Sequence, residues 1–300
     1  MSRKTAQIVI ARIVLLLVCC AAFIIPASAQ HFQPVTGTLV SVSAGRSEVF
    51  GLDSDSAVWR YAPSTKSFAK IGDASLTEVA VGGGSDSQAD GVWGVNSGGG
   101  VFKFNFQTKV FDAIPGVLTQ ITVGIGNQDK CHPYEVWGIN SADHIFRYNF
   151  CSKEFFQVAG GLRQVATGGG DVWGLNSSST ENIFHFDFAT NKFVSVPGVL
   201  SQIAVGVNDV WGINSASSIF RYNPTSNTFN SLATGAGQVS VGGDGVWVLL
   251  PSDNNNIFRF DPSSASLIQV PGSLEGISAG SGAGVFGVNS ADAVFTFIRP

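Results

Sequence analysis

Charge is scarce in this sequence: Asp, Glu, Lys and Arg make up 13% of its 300 residues, about half the ~25% of an average soluble domain. Its 17 Lys and Arg residues form no basic cluster and the formal net charge is −4. The chain therefore lacks the electrostatic footprint of a DNA- or RNA-binding surface, and no nucleic acid is expected as a partner. Methionine occurs once, whereas Gly occurs 36 times and Phe 23 times. That composition argues against a helical bundle and for short strands joined by tight turns.

Motifs of catalysis are missing as well. His31, His132, His144 and His185 occupy unrelated places, and there is no His-Glu-x-x-His, no Gly-x-Ser-x-Gly and no phosphate loop. No catalytic residue and no cofactor is expected. His132 and His144 match no familiar zinc spacing, so no metal site is expected either.

A membrane-spanning helix needs ~20 apolar residues, and the run from Ile13 to Ile25 has 13. Arg3, Lys4 and Arg12 precede it, and Pro26-Ala27-Ser28-Ala29-Gln30 follows. This is the pattern of a secretory signal peptide over residues 1–29, cleaved after Ala29. The expected mature chain, residues 30–300, has 271 residues and a net charge of −7. It carries no membrane span and is exported, either secreted or periplasmic. Cys19 and Cys20 leave with the leader, while Cys131 and Cys151 remain. Export permits a Cys131–Cys151 disulfide across the loops of one repeat.

What fills the mature chain is a repeat. Ser201 to Asn223, SQIAVGVNDVWGINSASSIFRYN, is the reference unit, and its Val-Trp-Gly core recurs at Val49, Val92, Val136, Val172, Val210, Val246 and Val285. These seven copies lie 36 to 44 residues apart and leave no room for a second domain. Each unit reads as four short strands: a Gln-Ile-x-Val-Gly strand, the Val-Trp-Gly strand, an Ile-Phe-Arg-Tyr strand, and a fourth such as Phe193 to Val196. The fold expected is all-β: a seven-bladed β-propeller of four-stranded antiparallel blades in one domain over 30–300. The chain ends after a third strand, and His31 to Val35 resembles a missing fourth. That N-terminal strand is expected to close the ring.

Register is legible too. From the second-strand aromatic to the third-strand place that Arg221 holds is ten residues in five units, and twelve from Trp173 to His185 and from Trp247 to Arg259. Even spacings keep every side chain on its face. Trp211 is thus expected opposite Arg221, and Gly212 opposite Phe220 as a notch for that ring. In the first unit Phe50 and Trp59 exchange the Trp and Phe of the others, a volume-conserving swap that marks these rings as inter-blade core.

Two recurring polar places are candidate binding residues. Arg60, Lys103, Arg147, Arg221 and Arg259, with His185, occupy one third-strand position and use five of the mature chain's 14 Lys and Arg. They either stack on the facing ring and pair with Glu48, Glu135, Asp171 or Asp209, or they donate hydrogen bonds to sugar hydroxyls and anionic groups. Asn96, Asn140, Asn176 and Asn214 follow the second strand. They either set the hairpin turn or form a hydrogen-bonding rim.

The pattern Pro-Gly-x-Leu-x-Gln-Ile-x-Val-Gly, Val-Trp-Gly-Ile-Asn, Ile-Phe-Arg-Tyr resembles the tectonin repeat of the tectonin and tachylectin-1-like β-propeller lectins, best at Pro197 to Tyr222 and again at Pro115 to Tyr148. The resemblance implies a secreted or surface sugar-binding propeller with several similar pockets for glycans. Family members usually have six blades. The sixth unit here departs at Val248-Leu249-Leu250-Pro251, and the seventh has Thr296 for the cation, so these two units match the family pocket least. The function expected is non-catalytic, multivalent, weak carbohydrate binding by a monomer, with Asn96, Asn140, Asn176, Asn214, Arg60, Arg147, Arg221 and Arg259 as sugar-binding residues. The alternatives are a protein-binding envelope scaffold and a hydrolase or lyase with its site at the channel mouth.

Overall fold

A computed structural model describes residues 30–85, 88–177 and 182–298. The leader expected at residues 1–29 lies outside the described residues. These residues form short β-strands and one 3-10 turn, Pro251–Asp253, with no α-helix among them. The fifth unit sets the pattern: Gln202–Val205, Val210–Ile213, Ile219–Asn223 and Thr228–Ala233 pair in that order as one antiparallel sheet. Four other units form four-stranded sheets of their own. An eight-stranded sheet joins the first unit to the last. His31–Thr38 lies antiparallel to Ala293–Ile298, with Phe32 opposite Phe297 and Val35 opposite Val294, and touches the first unit through one bridge between Thr36 and Ser67.

The expected register is observed in every unit. Phe50, Trp93, Trp137, Trp173, Trp211, Trp247 and Phe286 face Arg60, Lys103, Arg147, His185, Arg221, Arg259 and Thr296. Each of these second-strand rings is buried. Each packs edge-on, or nearly so, against an aromatic from the third strand of the next unit: Phe50 on Phe104, Trp93 on Tyr148, Trp137 on Phe186, Trp173 on Tyr222, Trp211 on Phe260 and Trp247 on Phe297. The seventh pair runs from Phe286, near the end of the chain, back to Tyr61, near its start, at 4.9 Å. Burying one such ring removes ~150–250 Å² from water, about 4–6 kcal/mol as an upper bound. These rings share the packing between sheets with buried Val, Ile and Leu side chains.

The glycine after the ring makes room for something other than expected. Gly212 does lie opposite Phe220, yet a Cβ on Gly212 would meet Leu200 Cδ1 at 2.3 Å and Gln202 O at 2.8 Å, with no Phe220 atom among its nearest neighbours. The same leucine contact recurs at Gly51, Gly94, Gly138, Gly174 and Gly287, against Leu39, Leu76, Leu118, Leu162 and Leu274. The notch thus accepts a leucine from two residues before the first strand, because that side chain, not the cross-strand ring, points into the sheet at this level. In the sixth unit Val248 replaces the glycine and Ala236 replaces the leucine. Both are buried. Three carbons are gained and three are lost, so core volume is kept.

A second device joins the innermost strands. Gln164 accepts a hydrogen bond from Ile203 N and donates to Ile203 O in the next unit, at 3.1 Å each. Gln120 clamps Val165 and Gln238 clamps Ile277 in the same way, and Gln202 accepts from Val239 N. In the second unit Glu78 takes this place and accepts from Ile121 N. Burial pushes its carboxyl up to about 7, while the hydrogen bond from Ile121 pulls the other way.

Candidate functional site

Arg60, Lys103, Arg147 and Arg221 each lie against aromatic rings of two units at a sheet boundary, and Arg259 lies over Trp247. The Arg147 guanidinium is 5.6 Å from the Trp137 ring and 5.2 Å from Phe188 of the next unit. Arg221 lies 5.7 Å from Trp211 and 5.2 Å from Phe260, and Lys103 lies 5.5 Å from Trp93 and 5.2 Å from Phe150. Strand alternation puts an acid two residues before the second-strand ring on the cation's side. Arg60 donates from Nε and Nη2 to Glu48 at 2.7 and 2.6 Å, and Arg147 to Glu135 at 2.8 and 2.6 Å. Glu135 is fully buried and also accepts the Trp137 Nε1 proton. Arg221 makes the single bond to Asp209 at 2.8 Å, and His185 stacks on Trp173 with Nε2 3.3 Å from Asp171. The pairings with Glu48, Glu135, Asp171 and Asp209 are thus all present.

The second unit solves the same problem differently. Gly91 stands where the acid would be, its space filled by the Tyr134 ring. Asp112, opposite Lys103 on the fourth strand, supplies the negative charge. Burial nevertheless holds the Lys103 ammonium below its ordinary range, with Asp112 partly opposing that shift.

Clefts open on these cations. Cavities of about 310, 320, 440 and 260 Å³ have Lys103, Arg147, Arg221 and Arg259 on their walls. Polar neighbours share them: Asp112 with Lys103, His132 and Gln157 with Arg147, and Asp209 and Asn230 with Arg221. The sequence profile of the tectonin domain matches residues 38–223 and 199–299. The chain belongs to the tectonin family. No curated sequence matches it. Among solved structures, YCF48 bound to D1 peptide is similar at a TM-score of 0.63 and 12% identity, covering 90% of this chain and 96% of that one. U3-55K is similar at 0.66 and 9%, covering 90% and 98%. Human WBSCR16 is similar at 0.62 and 12%, covering 89% of each chain. At such identities the likeness concerns the fold alone.

In this tectonin chain the two sets of predicted residues are not brought together. Asn96, Asn140 and Asn214 sit at the far end of the second strand, about three residues and so ~10 Å from the ring that faces the cation. Each Oδ1 accepts two backbone N–H groups of its own hairpin, as Asn214 does from Ala216 and Ser218 at 3.1 and 2.9 Å. Asn176 accepts from Asn182 N at 3.0 Å across its longer loop. The oxygens hold the turns.

On the cation side of the third unit, Cys131 and Cys151 form a disulfide with Cα atoms 4.9 Å apart. His132 bonds to Asp129 beside it. No group of three or more metal-ligating side chains occurs among the described residues, and no helix there is long and apolar enough to cross a membrane. A small central depression of about 180 Å³ is lined by the innermost strands, through residues such as Gly82, Gly124, Gly168, Thr167, Ser240 and Ser278.

Three tectonin-chain features were missed by sequence reasoning. The Gln clamps recur visibly at the head of the first strand, but their partners lie in the next unit. The Leu–Gly notch recurs just as plainly. Asp90 carries no repeat signal: its buried carboxylate accepts from the backbone N–H of Arg46, Ser47, Glu48 and Gly84, tying the first unit to the second.

Proposed function

We propose that this chain is an exported, non-catalytic, seven-bladed tectonin propeller that binds carbohydrate weakly at several inter-blade clefts. One observation carries the proposal: a cleft walled by a third-strand cation that lies over an aromatic ring recurs at four sheet boundaries. Arg60, Arg147, Arg221 and Arg259 present guanidinium donors to sugar hydroxyls, and the rings and fourth-strand side chains offer apolar contact to the sugar face. Asn96, Asn140, Asn176 and Asn214 form a second rim on the other face. Linked weak sites gain ~10²–10⁴ in avidity on a polyvalent surface.

Seven aromatic pairs that return from Phe286 to Tyr61 support a closed ring of seven blades, with His31–Thr38 as the last blade's fourth strand. Residues 30–300 are then one monomeric domain, and residues 1–29 a removed signal peptide. The Cys131–Cys151 bridge suits an oxidising compartment, secreted or periplasmic. At the channel mouth a hydrolase or lyase would have hydroxyls to work with and no titratable side chain in the lining.

A protein-binding scaffold is the second reading, favoured by Phe156, Val194 and Ile268. These side chains are about half exposed at equivalent places on the fourth strands. A glycan array followed by titration with the best monosaccharide separates the two. Saturable millimolar binding is expected; no sugar bound at that concentration, with a protein partner recovered by crosslinking, favours the scaffold.

A further inference from the structure

We infer that the cleft beside Arg259 in the sixth unit binds the carboxylate of an acidic sugar, a uronic acid residue. This rests on the lectin reading and narrows it to one ligand class at one site.

The observation is a carboxylate that the fold calls for and the sixth unit does not supply. Two residues before the second-strand ring, the units carry Glu48, Gly91, Glu135, Asp171, Asp209, Gly245 and Gly284. In the seventh unit the cation is gone with the acid, and Thr296 donates instead to Val285 O. In the second unit an acid, Asp112, stands opposite the cation on the fourth strand. In the sixth neither happens: Gly245 adjoins the guanidinium, and the residue opposite Arg259 is Ile268. Arg259 Nε is shielded from water and has no hydrogen-bond partner. In the first, third and fifth units this same Nε donates to the acid. Neighbouring acids are engaged elsewhere. Asp244 accepts from Gly284 N, and Asp261, on the cavity wall, accepts from Ser263 and Ser264.

A guanidinium N–H left without an acceptor is costly, and a carboxylate meets two of its donors at once. A ligand meets the guanidinium from the cavity on whose wall Arg259 stands. A Cβ built on Gly245 would have Arg259 Nε as its nearest neighbour at 3.5 Å and Nη2 at 3.9 Å, ordinary contact distances. The adjoining cavity of about 260 Å³ is walled by Phe260, Pro262, Ile268 and Val270. It is smaller than the ~300–1,000 Å³ that enclose a drug-sized ligand, so it suits one sugar ring on an apolar wall. The ligand carboxylate supplies to Arg259 the negative charge that Glu135 supplies to Arg147. The sixth unit's departures at Leu250 and Pro251 lie at the far end of the second strand, away from this cleft.

The test is a titration of the ¹⁵N-labelled protein with D-glucuronate, its neutral counterpart methyl glucoside, and acetate, following the Arg259 Nε–H resonance. R259M identifies that resonance by its loss and keeps the stem over Trp247. A saturable shift at millimolar glucuronate is expected, with methyl glucoside and acetate at least tenfold weaker. R259M is expected to weaken glucuronate at least tenfold, while K192M, which removes one exposed charge elsewhere, leaves it within twofold. G245D, supplying an internal carboxylate, is the second variant, its folding checked by melting because Gly245 has φ 112°; it too is expected to abolish the shift. An unmoved Nε–H, equal binding of acetate or methyl glucoside, or glucuronate bound as tightly by R259M overturns the inference. If neutral sugars still bind on an array, that failure leaves the lectin reading standing; an array blank for every sugar overturns both.

Discussion

Replacing Leu200 by Ala in the fifth unit empties the notch over Gly212, and replacing Gly212 by Val overfills it. Leu200 is 1% exposed, so its truncation falls among buried Leu→Ala changes, which cost about 2–5 kcal/mol. Gly212→Val places a Cβ 2.3 Å from Leu200 Cδ1 and 2.8 Å from Gln202 O; overpacking of this kind costs about 1–3 kcal/mol or more. The sixth unit already carries the double exchange as Ala236 and Val248, both buried. The combined variant L200A/G212V is therefore expected to lose less than L200A alone, with a coupling of about 2 kcal/mol between the sites. Urea unfolding of the wild type, both single variants and the double variant closes the cycle. Costs that add to within about 0.5 kcal/mol would show that the two positions act independently and refute the notch.

Two further outcomes follow from a buried carboxyl and from the disulfide. Glu78, held up to about 7 by burial against an ordinary 4.5, binds its proton more tightly folded than unfolded. Its stabilisation is full below about pH 4.5 and is lost as pH rises toward 7, about 3 kcal/mol at 1.36 kcal/mol per unit. E78Q, which restores the clamp of the other units, is expected to remove this slope and be the more stable protein at pH 8. Parallel curves for wild type and E78Q between pH 5 and 8 would contradict it. Reducing Cys131–Cys151, 20 residues apart, is expected to cost about 3 kcal/mol in the chain-entropy model, read as a fall in the urea midpoint relative to the oxidised protein.

Seven copies of one short pattern determine most of this molecule. Four strands per unit, the facing of each ring and cation, the place of the N-terminal strand and the disulfide all follow from period-two alternation and loop position. Such information is local and repeated, so the chain states it several times over. What lies between units was hidden, because a contact from one sheet to the next joins residues some 40 positions apart. The Gln164 clamp on Ile203 and the Asp90 tie belong to that class. The candidate site divides along the same line. That cations share one third-strand position is visible in the sequence, but that an acid, Asp112, faces Lys103 while Ile268 faces Arg259 is decided by which side chain stands across each strand. The asparagine and arginine sets look adjacent on paper. A strand a few residues long, rising ~3.3 Å at each, carries them to opposite faces.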